Sequence, residues 1–167
     1  MEKNFFEWVL FFIQGNWQQF LLGTATTLLI SLSGTIIGFF LGLGVSLIRY
    51  MKSDDKTTLF IKSIIKFFQI IVNIYIAIFR GTPMIVQAMV IFYGLPVLTK
   101  GSLNLDPLPA ALLIVSINTG AYMAEMIRGG VDSVDPGQLE GAQAIGMSHF
   151  QAMLSIILPQ AVRNVLP

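Results

Sequence analysis

Long apolar runs, rather than short alternations, dominate the hydrophobic pattern of this chain. Residues 8–48 contain no Asp, Glu, Lys or Arg. Within them, Gln19–Ile48 exceeds the roughly 20 apolar residues that a helix needs to cross a bilayer. Ahead of it, Trp8 and Trp17 suit a segment at headgroup level, where amphipathic rings prefer to sit. The second apolar region is interrupted. Phe67–Phe79 is uncharged but gives only about 20 Å of helix, too short to cross, while Gly81–Leu98 contains Pro83 and Pro96. The pattern predicts one long helix that begins near Thr57 and crosses from about Val72 to Leu95. Lys62, Lys66, Gln69, Asn73 and Arg80 fall at 4-3-4-7 spacing, on one helical face. Such a stripe should face protein or water rather than lipid. The turn-rich stretch Pro96–Pro109 predicts an external loop. A third span follows from about Leu108 to Arg128, then a cytoplasmic loop over residues 129–157, and Leu158–Pro167 predicts the start of a further span. The expected fold class is all-α, a polytopic transmembrane helical bundle within one domain.

Composition strengthens this picture. Hydrophobic residues make up 54% of the chain and charged residues 11%, against about 25% charge in a soluble domain. A net charge of +1 offers nothing to a nucleic acid, and no nucleic-acid partner is expected. The charges that exist are informative by position. Arg49, Lys52, Lys56, Lys62 and Lys66 stand against Asp54 and Asp55 just after the first span, which marks the cytoplasmic side and places the N-terminus outside. The N-terminal stretch lacks a basic n-region and carries Glu2 and Glu7, so it does not predict a signal peptide.

Catalytic chemistry finds little support. There is no Cys, and His149 is the single histidine, which excludes thiolate nucleophiles, disulfides and His clusters. No Walker A, G-x-S-x-G or H-E-x-x-H run occurs. No metal site and no cofactor are expected, and an intramembrane enzyme has no residue spacing to recommend it.

The loop after the third span carries the most local information. Asp135-Pro136-Gly137-Gln138 offers an Asp N-cap, Pro at the first helical position and Gln three residues after the cap. Ser148 and Gln151 repeat the cap-x-x-Gln pattern, and Gly146 between them suits a helix end because glycine tolerates the left-handed conformation. A short helix, a glycine break and a second helix stopped near Pro159 are predicted. His149 is expected to be solvated, just after the cap.

These residues also carry a resemblance. Glu140-Gly141-Ala142, three residues, Gly146, nine residues, Ile156, one residue and Leu158-Pro159 resemble the EAA signature of ABC importer permeases, with Gly141 where that family usually has Ala. Phe79-Arg80-Gly81-Thr82-Pro83 with Phe92-Tyr93-Gly94-Leu95-Pro96, and Ala121-Tyr122-Met123-Ala124-Glu125 with Arg128-Gly129-Gly130, resemble its polar amino acid branch. The resemblance implies a non-catalytic permease subunit in a bacterial inner membrane, driven by ATP hydrolysis in partner chains. Glu140, Gly141, Ala142, Gly146, Ile156, Leu158 and Pro159 would form the element that docks a cytoplasmic ATPase. An external amino-acid-binding protein, a second permease subunit and the lipid bilayer complete the implied partners. Family members usually continue through two more membrane helices, so the resemblance also implies a chain shorter than its relatives. A permease for another small solute, such as a metal chelate or an organic anion, is the alternative within the family. A secondary transporter would have no use for the docking element.

The candidate substrate-pathway residues are Arg80, Thr82, Asn118, Tyr122 and Glu125. An ionisable group inside a span is costly and points to function, so Arg80 could bind a substrate carboxylate. It could equally cap carbonyls beside Pro83, which cannot donate to the preceding turn. Glu125 and Arg128, three apart, can form an ion pair or a gate. Asn118 and Tyr122 are pathway candidates or internal hydrogen-bonding groups. Gly34, Gly38, Gly42 and Ser46, each four apart, predict close packing against an unidentified helix.

Overall fold

A computed structural model describes residues 4–51 and 58–165, and every regular element in them is helical. The order is α1 (Phe5–Tyr50), α2 (Leu59–Gly81), α3 (Met84–Met89), a π turn (Val90–Gly94), α4 (Leu95–Leu98), α5 (Pro107–Asp132), α6 (Pro136–Ala144), α7 (His149–Ala152), a second π turn (Met153–Ile157) and α8 (Leu158–Val165). Lys52, Asp54, Asp55 and Lys56 of the charged flank, the proposed start at Thr57 and the end at Pro167 lie outside the described residues. Among the described residues, three helices, α1, α2 and α5, are long and apolar enough to cross a membrane.

The 46 residues of α1 reach about 70 Å, twice a bilayer core. Asn16 leaves helical geometry and separates the Trp-bearing start from the remainder. From there α1 packs chiefly on α5, the two running parallel, with Gly34 opposite Val115 and Gly42 opposite Met123. A Cβ on Gly42 would stand 3.0 Å from the amide nitrogen of Ala124 and the carbonyl oxygen of Gly120. The small-residue stripe therefore has a backbone for a neighbour. Ser46 extends the seam by donating to the Ala124 carbonyl at 3.3 Å.

The long helix expected from Thr57 to Leu95 is broken. α2 ends at Gly81, Thr82 and Pro83 are extended, and α3 begins at Met84. Pro83 has no N–H for the carbonyl of Phe79 and its ring crowds that turn, so the ladder stops. The helix long enough to cross is thus Leu59–Gly81, with Lys62 and Lys66 in its first two turns.

Two other prolines behave differently. Pro96 and Pro159 each follow a π turn, in which Leu95 donates to Val90 and Leu158 to Met153. The wider turn shifts the hydrogen-bond register so that the residue lacking a donor sits where the helix tolerates it. The helix expected to stop near Pro159 therefore continues as α8.

A cluster of Ile127, Val134, Met153, Ile157, Leu158 and Ala161 forms the apolar core at one end of the molecule. It fastens α6, the second π turn and α8 to the ends of α1 and α5.

Candidate functional site

Asn118, Tyr122 and Glu125 share one face of α5, and the structure divides the candidates on that face into two groups. At the level of Asn118, side-chain amides repair the break before α3. Gln87 of α3, 7% exposed, donates to the carbonyls of Phe79 and Thr82 at 2.9 Å each and to the Thr82 hydroxyl at 3.0 Å. Its own oxygen accepts from Asn118 at 3.0 Å. The Phe79 carbonyl is the acceptor that Pro83 leaves without a donor. Two amides, not Arg80, meet it. Thr82 and Asn118 are therefore bound up in this clasp, and Thr82 also donates back to Ile78 at 2.8 Å.

Farther along α5, Glu125 gathers three guanidinium groups. Arg49, at the end of α1, pairs with Oε1. Arg80 reaches Oε2 at 3.2 Å and Arg128 reaches it at 2.9 Å. On the way, the Arg80 guanidinium passes 5.7 Å from the Tyr122 ring centroid, a cation–π distance. Arg128 also pairs with Asp132 at 2.7 Å. Among the described residues the cluster thus holds three cations against two carboxylates. The Glu125 side chain is 14% exposed, whereas those of Arg80 and Arg128 are 42% and 43% exposed. The carboxylate is enclosed and the guanidiniums keep an open side.

The Glu125–Arg128 pair was legible from spacing. In the sequence Arg49 signals only topology, and Gln87 carries no signal of spacing or charge. A lone amide in the apolar run from Met84 to Tyr93 would have been the signal for Gln87.

The loop after α5 builds the second candidate surface. Asp135 caps α6 by accepting from Gly137 at 2.7 Å, but Gln138 does not complete a capping box. Its side-chain oxygen instead accepts from Gln160 at 3.4 Å. At Ser148 the box is complete, with Ser148 accepting from the Gln151 amide and Gln151 from that of Ser148. Gly146 has φ +87°. Met147 donates to Ala142 at 3.1 Å and Gly146 to Gln143 at 3.0 Å, the paired bonds of a Schellman end.

The EAA-like residues split by face. Ala142 and Leu158 are buried and Ile156 is half-buried, whereas Glu140, Gly141, Gly146 and Pro159 are exposed. Ile145, just before the turn, is 79% exposed. His149 is not simply solvated: its Nε2 lies 3.1 Å from the Tyr50 carbonyl. Tyr50 in turn donates to the Arg128 carbonyl and to Asp132, each at 3.4 Å. This joint connects the loop helices to the ends of both α1 and α5.

The profile of the family described as "Binding-protein-dependent transport system inner membrane component" matches residues 59–167. The chain belongs to this family. It is 36% identical over 145 residues to the arginine transport system permease protein ArtQ of Bacillus subtilis (strain 168), covering 87% of this chain and 60% of ArtQ. It is 37% identical over 133 residues to the L-cystine transport system permease protein TcyB of the same organism, covering 80% of this chain and 52% of TcyB. A crystal structure of an amino acid ABC transporter with histidines superposes over 100% of this chain and 69% of its own, with a TM-score of 0.75 and 32% identity. The chain spans between half and two thirds of the length of these two curated relatives. As a permease-family chain it is a membrane protein, and its fold is the all-α bundle expected from the apolar pattern.

Proposed function

We propose that this chain is the membrane permease subunit of an ATP-driven importer for polar amino acids. Relatives named for arginine and L-cystine transport support the substrate class. In this reading α1, α2 and α5 are spans with the N-terminus outside, the membrane is the bacterial inner membrane, and α8 begins a further span.

The observation that carries the mechanism is the division of the loop after α5 into an anchored side and an exposed side. Ala142 and Leu158 fix it to the body of the protein. Glu140, Gly141 and Ile145 present a charge, a bare backbone and an apolar knob around the turn at Gly146, a surface suited to a groove in a cytoplasmic ATPase. The permease itself hydrolyses nothing. Closure of paired ATPases moves the loop helices, and the His149–Tyr50–Asp132 joint carries that movement to α1 and α5. A second permease subunit and an external binding protein complete the importer.

On the path itself, Arg80 and Tyr122 form the ligand-facing group, and the enclosed Glu125 holds Arg80 in place behind them. The open side of the Arg80 guanidinium suits a substrate carboxylate, which would balance the uncompensated positive charge of the cluster. Thr82 and Asn118 shape the path by holding the break beside it.

Glu140→Lys tests the docking surface. The variant is expected to stay folded, because Glu140 is exposed and its side chain makes no hydrogen bond or ion pair among the described residues. It is expected to lose its copurifying ATPase and ATP-driven uptake. Retention of both would overturn the reading. Uptake that no polar amino acid inhibits would overturn the substrate class alone.

A further inference from the structure

Next to the Glu125 cluster, a cleft of about 610 Å³ opens between the end of α1 and the start of α2, with Arg49, Met51, Lys62, Ile65, Lys66 and Gln69 in its walls. Arg49 is already paired with Glu125, so Lys62 and Lys66 are the charges its described walls offer a ligand. Lys62 and Lys66 lie four residues apart, where like charges repel on a helix, and neither forms an ion pair among the described residues. The first turn of α2 has no acidic residue, and Thr58 supplies no side-chain cap, so its free N–H groups add to the positive field. The opposing wall is the C-terminus of α1, whose carbonyls would ordinarily repel an anion. Gln69 already engages those of Ile48, Arg49 and Met51, at 3.3, 3.2 and 2.9 Å.

We infer that this cleft binds the phosphodiester headgroup of an anionic phospholipid. Position selects a lipid over a free anion. The cleft lies in the first two turns of a helix long enough to span the membrane, and Phe60, Ile64, Phe67 and Ile71 on the other side of that helix are exposed and apolar. Acyl chains cover such a surface, and Lys stems reach from it to headgroup level. In the proposed topology, on which the inference rests, this end faces the cytoplasm, where basic pockets between membrane helices bind lipid headgroups.

The test uses the chain purified with the subunits that accompany it, placed in nanodiscs of equimolar phosphatidylcholine and phosphatidylglycerol. Lipids retained on the protein are counted by native mass spectrometry. The native chain is expected to retain phosphatidylglycerol in preference to phosphatidylcholine. Lys62→Gln with Lys66→Gln should cut that preference about tenfold or more, at the ordinary contribution of a lysine near an anionic surface. Lys62→Arg with Lys66→Arg should restore it, and Lys100→Gln, on the turn after α4, should leave it unchanged. An unaltered preference in the glutamine pair would overturn the site. So would displacement of the lipid by inorganic phosphate at matched concentration, which would identify a free anion. Retention of phosphatidylglycerol only after the accompanying subunits are stripped away would assign the cleft to an acidic partner surface instead.

Discussion

Two polar groups sit on the same face of α5, about 10 Å apart along its axis, and they are built on opposite plans. The group at Asn118 is closed. Its amides go to carbonyls exposed by the break at Pro83, and Gln87 at its centre is buried. The group at Glu125 is over-supplied. One enclosed carboxylate holds three guanidiniums, and Arg80 and Arg128 remain more than two fifths exposed. A satisfied amide set specifies shape and offers nothing to a ligand. A cluster with surplus positive charge and an accessible side offers both. The difference teaches that polarity inside a membrane helix does not by itself mark a path, because one group exists to let the chain bend.

The largest effect should come from Glu125→Gln. Three guanidiniums would lose their shared anion and face one another in a partly enclosed space, and removal of one member of a buried ion cluster costs about 3 kcal/mol. Thermal unfolding in detergent should register a shift of many degrees, with Glu125→Asp intermediate. A glutamine variant as stable as the native chain would mean that the arginines are held by something else.

Gln87→Leu should come next. It leaves the Thr82 carbonyl without its amide donor and the Phe79 carbonyl with only the 3.4 Å approach of Asn118, in a part-buried setting, at about 2 kcal/mol. Hydrogen exchange should quicken in the segment around Gly81–Met84 and stay unchanged around Glu125. Spread of the change to Glu125 would join the two groups into one. Asn118→Leu should cost less, about 1 kcal/mol, because Gln87 still reaches both carbonyls. If that variant keeps its stability and loses uptake, Asn118 serves the path and the division drawn here fails.

Local chemistry was legible in the sequence, and register between distant segments was not. The cap at Ser148, the turn at Gly146 and the Glu125–Arg128 pair each depend on residues within one helical turn, so spacing alone indicates them. The stripe of Gly34, Gly38, Gly42 and Ser46 announced close packing, but its partner became visible only when Gly42 met the backbone of α5. Arg49 and Arg80 reach Glu125 from sequence positions 76 and 45 residues away, and no periodicity within α1 or α2 contains that information. Proline was the most misleading signal. Pro83 breaks its helix while Pro96 and Pro159 do not, and what separates them is a π turn upstream together with a neighbouring helix, α5, able to supply an amide at the break.

The smallest stability effect, and the sharpest test of the open cluster, belongs to Arg80→Lys. Lysine keeps the charge beside Glu125 but loses the flat guanidinium over Tyr122, and it cannot offer a second parallel pair of donors. Because Arg80 is 42% exposed, solvent screens the lost interactions, and unfolding should change by only about 0.5 kcal/mol. Function should separate from stability here. If the open side of the guanidinium grips a substrate carboxylate in a bidentate manner, half-saturation for uptake should rise severalfold in proteoliposomes while the binding protein's own affinity stays the same. If Arg80 only neutralises Glu125, lysine should substitute for it in both measurements, and the surplus charge would have to be assigned to Arg128, the other guanidinium with an accessible side.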